Sequence, residues 1–270
     1  MTFPLQWVQA AEGKKKRLLY FTRSAGFEHS VVRRRGKELA FSEKILIELG
    51  KKHGFEVVCT KDGRVFDGDL DQYDAIAFYT TGDLTKPNRN GTPPMTPRGK
   101  QRLLDWVARG GGFIGFHAAT DSFHSRKGTI DPYIRMVGAE FLTHGAQQIS
   151  TLRRISPSFP GLKGIPETWR LKEEWYAFKN FAPDLHVILL QDTKGMKGKM
   201  YQRPPYPQTW ARLHGKGRVF YTSFGHREDI WTNPQVQQVI LGGIAWAMRN
   251  VDADVTPNIA EVAPGANQLP

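Results

Sequence analysis

Short apolar runs that stop at polar loops, with amphipathic stretches between them, constrain this chain more than any other feature. Arg17 to Thr22 (RLLYFT), Phe55 to Cys59, Tyr73 to Thr80 (YDAIAFYT) and Phe113 to Phe116 are such runs. Each is short and largely apolar, as expected of a strand buried on both faces. Lys37 to Lys52 reads as a helix, with Leu39, Ile45, Leu46 and Leu49 on one side and Gly50 and Gly54 as stops. Thr96 caps a second helix with Pro97 at its first position; Leu103, Leu104 and Val107 form its inner stripe. Gly110 to Gly112 follow that helix and precede a strand, the reverse of a dinucleotide-binding fingerprint. Strand, helix, strand, strand, helix, strand is the rhythm of an α/β fold with a parallel sheet.

The second half reads differently. Gln147 to Ile155, Trp169 to Lys172, His186 to Gln191, Thr209 to Leu213 and Arg218 to Phe224 look like strands, the last two joined by the hairpin turn His214 to Gly217. Asn233-Pro234 starts a final helix reaching about Met248, and the proline-bearing tail from Asp252 is expected to be extended. At 270 residues the chain can bury one sizeable core. The expected division is a segment over 1–16, one domain over 17–250 and a tail over 251–270.

Net charge is +12, but the basic residues are scattered apart from Lys14 to Arg17 and Arg33 to Arg35, with no nucleic-acid-binding motif beside them. No nucleic-acid partner is expected. No apolar run approaches the ~20 residues of a membrane span. Val8 to Ala11 resembles the tail of an export signal without its basic start, which leaves cytoplasm and periplasm both open. One cysteine, Cys59, excludes an internal disulfide and a cysteine metal cluster, and its apolar strand suggests a packing role.

In open α/β sheets ligands gather beyond the carboxyl ends of the strands. Four polar loops meet there by this rule: Thr22 to His29, Thr80 to Asp83, His117 to His124, and Phe224 to Asp229. His117, flanked by small residues, suggests a sharp elbow that lifts the imidazole above the sheet; a hydrogen-bonded strand-end histidine is the alternative. Asp121 could orient His117 or cap a helix, and His124 reads as exposed and idle.

Several stretches together resemble one family: SAGFEH, YTTGD, GGGFIGFHAATDSF, GAEFLTHGAQQ, EEWYAF and GRVFYTSFGHRED. In this order, over roughly residues 17 to 250, they are similar to the ThuA-like (trehalose utilisation) family. The resemblance implies a flavodoxin-like, class I glutamine amidotransferase-like three-layer sandwich with a mostly parallel sheet and added hairpin strands. Amidotransferases of that fold hold a nucleophilic cysteine at the elbow, where this sequence has His117, so glutamine hydrolysis is not expected.

The resemblance also carries His29, Thr81, Asp121, His144, Gln148, Glu174, Trp175, Tyr176 and His226. Glu174 beside Trp175 and Tyr176 offers a carboxylate with aromatic platforms for a sugar ring; a surface glutamate beside core aromatics is the plain alternative. His226 ends a strand and either faces the cleft or packs at the hairpin end. Gly145, between His144 and Gln148, reads as a loop entering a strand.

The implied function is processing of a disaccharide or keto-glycoside by acid–base chemistry of the isomerase or lyase type. His117 and Glu174 are expected to move protons, with Asp121 and His226 beside them. His29, Thr81, Gln148, Trp175 and Tyr176 are expected on the substrate, and a sugar oxidoreductase is the implied pathway partner. Two other functions stand beside this one: a non-catalytic carbohydrate-binding domain, and a metal-dependent hydrolase with zinc or a similar ion on His117, His144 and His226, with Glu174.

Overall fold

A computed structural model describes residues 15–126 and 128–270. The strands are β1 (Lys16–Phe21), β2 (Phe55–Thr60), β3 (Ala75–Phe78), β4 (Gly112–Phe116), β5 (Glu140–His144), β6 (Gln148–Arg154), β7 (Thr168–Glu173), β8 (Tyr176–Lys179), β9 (His186–Asp192), β10 (Tyr206–His214) and β11 (Gly217–Thr222). Nine of them form one sheet in the order β2-β1-β3-β4-β11-β10-β9-β6-β7, while β5 and β8 pair separately. The first five are mutually parallel. From β11 onward every pairing is antiparallel.

Burial explains the composition of the centre. Every residue of β3 and β4 is buried, so both faces must be apolar. The helices are α1 (Phe41–His53), α2 (Pro97–Arg109), α3 (Pro132–Val137), α4 (Glu228–Thr232), α5 (Pro234–Ala247) and α6 (Ile259–Val262). α4 touches both α1 and α5, and α2 touches α3, forming two helical groups against the sheet. The expected α/β sandwich is what the chain adopts.

α2 starts as its cap dictates, the Thr96 hydroxyl accepting from Gly99 N at 2.8 Å. α1 starts four residues later than the apolar pattern suggests, because Gly36 turns the chain at φ +60° and Glu43, rather than a cap side chain, accepts from Ala40 N at 2.8 Å. Two strands escaped the sequence reading, β5 and β8, each short and paired only with the other. The tail expected to be extended carries α6 and is tied down: Asn258 N and Ile259 N both donate to Leu185 O. The export-signal-like segment lies outside the described residues. Among the described residues no helix is long and apolar enough to cross a membrane. Cys59 is half-buried at the end of β2, and burial pushes its thiol up to about 12, so it is no nucleophile.

The fully buried Glu43 fixes the region from which the first polar loop leaves β1. Its carboxylate accepts from Thr22 Oγ1 (2.7 Å), Ala40 N (2.8 Å), and Arg34 Nε (2.8 Å) and Nη2 (2.9 Å). Burial favours the neutral acid, but these donors outweigh it and hold the carboxyl below its usual range. A depressed folded pKa contributes stability above the unfolded value, and that contribution is lost as pH falls through the folded one. We predict that Glu43→Gln costs roughly 1.5–3 kcal/mol at neutral pH. Urea unfolding should also show a shallower stability loss below about pH 4 than in the parent chain.

Candidate functional site

Four separate segments converge beyond the carboxyl ends of the parallel strands. His29 comes from the loop after β1, His117 from the end of β4, Glu174 from between β7 and β8, and His226 from the loop after β11. One nitrogen of each histidine and one Glu174 oxygen lie within 4.8 Å of one another. His144, at the end of β5, adds a fourth imidazole from outside.

The elbow expected at His117 is present. The backbone turns there at φ +39°, a left-handed conformation that a side-chain-bearing residue adopts only when its surroundings enforce it. The enforcing contacts are close. A Cβ on Gly115 would lie 2.8 Å from the Tyr221 ring and 3.2 Å from Ala119 Cβ, so the strand must be bare there. Tyr221 Oη donates to His117 O at 2.6 Å. The imidazole itself is fully buried, and its Nδ1 sits 2.8 Å from Ser223 O. A carbonyl only accepts, so Nδ1 carries the proton and Nε2 keeps its lone pair.

Glu174 divides its oxygens between two groups. Oε2 faces His226 Nδ1 at 2.9 Å, His117 Nε2 at 3.5 Å and His29 Nε2 at 3.9 Å. Oε1 faces His144 Nδ1 at 3.2 Å. The His144 Nδ1 also lies 3.0 Å from Gly145 O, so in the neutral ring it donates to that carbonyl and the lone pair stands on Nε2. Tyr176 separates the groups, its ring 4.1 Å from that of His117 and 5.9 Å from that of His144.

The electrostatics follow from burial and this geometry. Burial pushes His117 down to about 3, Glu174 only partly opposing it, and His29 is lowered for the same reason. Burial also opposes the charge on Glu174, yet the imidazoles around it, His226 nearest at 2.9 Å, outweigh burial and hold the carboxyl below its usual range. His226 moves the other way: burial lowers it, but Glu174 more than compensates, so it is raised.

Several expected site residues have other tasks. Asp121 neither orients His117 nor caps a helix; its carboxylate takes His124 Nε2 at 2.6 Å. His124 is therefore not idle, and its other nitrogen lies 3.2 Å from Glu140. Thr81 donates its hydroxyl to Phe27 O at 2.8 Å and so shapes the His29 loop. The Gln148 amide is spent on Lys197, accepting from its N at 2.8 Å and donating to its O at 2.9 Å. Trp175 is fully buried with its indole N–H on Gln148 O, so no ring face is open to a sugar. Tyr176 is buried as well, its hydroxyl 3.4 Å from His29 Nε2. His29, rather than the expected His144, completes the inner group with His117, His226 and Glu174.

Two residues were missed. Phe27 is an exposed aromatic whose ring packs edge-on against His29 at 5.0 Å. It lines a cleft of about 980 Å³ together with Glu28, Arg33, Lys61, Arg89 and Asn90. Glu173 is fully buried, and its oxygens accept from Glu174 N (2.8 Å), Gly225 N (3.0 Å) and His226 N (3.2 Å). It thus locks the backbone of two cluster residues at once, and burial raises it to about 7 despite those donors. Alternation along β7 (Trp169, Leu171, Glu173) would have placed Glu173 on the inner face.

Glu173→Gln replaces one acceptor oxygen by an N–H donor against backbone N–H groups. The expected cost is about 1–3 kcal/mol of stability, read by chemical unfolding, with backbone amide shifts of Gly225 and His226 moving in NMR spectra.

The family model described as trehalose utilisation, ThuA, matches residues 17–247. A ThuA-like protein from Bacteroides uniformis superposes with a TM-score of 0.65 at 19% identity, over 88% of this chain and 93% of that one. One from Parabacteroides merdae does so at 0.66 and 19%, over 90% and 94%. A β-galactosidase from Bacillus circulans shares the fold at 0.52 and 12% identity, over 90% of this chain but 32% of that one. No curated protein matches significantly. With the family pattern spanning nearly all of the chain and its histidines gathered at one point, this protein belongs to the ThuA, trehalose-utilisation family.

Proposed function

We propose that the chain is a carbohydrate-processing enzyme acting on a disaccharide or its keto form, with proton transfer at the Glu174–histidine cluster. Membership of a family described by trehalose utilisation supplies the carbohydrate context. The observation that carries the reading is the pair His144–Glu174. A half-exposed imidazole has Nδ1 on the Gly145 carbonyl at 3.0 Å and 3.2 Å from a buried carboxylate oxygen, so the neutral ring keeps its lone pair on Nε2. That is how a general base is oriented. His117, the earlier candidate for this role, is fully buried and a weak base, and so serves as a fixed inner group.

On a keto-glycoside, His144 Nε2 takes the proton from a carbon beside the carbonyl, and the C–H electron pair becomes the enolate. Collapse of the enolate expels the glycosidic oxygen with a proton (elimination), or reprotonation at the neighbouring carbon gives the isomer. A keto substrate calls for an oxidoreductase upstream to make the ketone. Phe27, rather than Trp175 or Tyr176, offers the open aromatic face for a sugar ring.

The test is product analysis by NMR with trehalose, sucrose and their 3-keto forms. We expect turnover of at least one, lowered about 10²–10⁴-fold by His144→Ala. Sugar binding with no turnover of any of them would leave a carbohydrate-binding domain instead. Phe27→Ala should raise KM about five- to tenfold at unchanged kcat; an unchanged KM removes Phe27 from the sugar site.

A further inference from the structure

We infer that His29, His117, His226 and Glu174 hold one divalent transition-metal ion, zinc or a near neighbour. The assignment deepens the proposed function, because it rests on the same cluster as the working site. It is carried by a mismatch of donors and acceptors. His117 gives its only proton to Ser223 O, so its Nε2 lone pair confronts Glu174 Oε2 at 3.5 Å. Two acceptors at that distance repel unless something positive lies between them. His117 Nε2 and His226 Nδ1 are both buried without a hydrogen-bond partner, although His226 Nδ1 is only 2.9 Å from Oε2. The contact is close but off the hydrogen-bond axis.

A proton bridges two atoms at most, and here two unpartnered nitrogens, His117 Nε2 and His226 Nδ1, face one carboxylate oxygen that His29 Nε2 also approaches. A metal with bonds of about 2.1 Å sets tetrahedral ligands about 3.4 Å apart. The Oε2 distances of 2.9, 3.5 and 3.9 Å bracket that value. Three imidazoles and one carboxylate oxygen suit zinc or cobalt better than calcium or magnesium, which prefer oxygen alone. The supports behind the ligands fit as well. The Ser223 carbonyl fixes the tautomer of His117, and Glu173 clamps the backbone of Glu174 and His226. Glu174 Oε1 remains on His144, so one carboxylate joins the ion to the outer base.

The test uses the full chain, stripped with a chelator and reloaded with Zn²⁺ or Co²⁺. Metal is counted by mass spectrometry after desalting and affinity is read by calorimetry. The expected result is one equivalent in the parent protein and in His144→Ala. His117→Ala, His226→Ala and Glu174→Gln, checked for native circular dichroism, should each bind at least about 100-fold more weakly. Less than about a tenth of an equivalent in the reloaded parent overturns the inference. So does undiminished binding in folded His226→Ala and Glu174→Gln, which would put the ion elsewhere. Sugar turnover is measured on the same samples, so either idea can fail alone. An ion bound by a protein that turns over no sugar sinks the enzyme reading only, and turnover without uptake sinks the metal only.

Discussion

Glu174 presents its two oxygens to two kinds of imidazole, and the rest of the site is arranged around that division. Oε2 looks inward to three histidines that have little or no contact with water, and Oε1 looks outward to one that has. An ionised carboxylate this deep is costly unless several groups share its charge. The fold supplies them from four segments far apart in sequence: three follow parallel strands of the main sheet and the fourth, His144, ends β5 of the small sheet.

The surrounding structure is built to keep those loops from relaxing. A left-handed turn at His117 would open if Gly115 or Ala119 were larger, and the Tyr221 hydroxyl holds its carbonyl. Glu173 uses its buried carboxylate on three backbone N–H groups in the segments of Glu174 and His226. Glu43 does the same kind of work where β1 opens into its loop. Buried carboxylates that fix backbone geometry in this way are found where chemistry demands fixed positions.

Much of the architecture was legible in the chain. The short apolar runs mark the parallel strands because strands buried on both faces tolerate little else, and Thr96-Pro97 and Asn233-Pro234 announce helix starts through backbone chemistry alone. β5 and β8 were not legible, since their pairing depends on tertiary placement rather than on a run of their own. At the site, the histidines and Glu174 could be singled out by motif and by strand ends. Which oxygen faces which ring could not, nor that Trp175 turns wholly inward while Phe27 stays open. Side-chain direction at loop positions follows from neighbours distant in sequence. Glu173 shows the converse: it follows the alternation of Trp169 and Leu171 along β7 onto the inner face.

Anomalous diffraction from crystals soaked with zinc tests the central claim most directly, because it locates the cation among the side chains. The account predicts a single strong peak about 2.1 Å from Glu174 Oε2 and from one nitrogen each of His29, His117 and His226, with His144 on Oε1. A peak elsewhere, or Glu174 hydrogen-bonded to the same histidines with no peak between them, would contradict it.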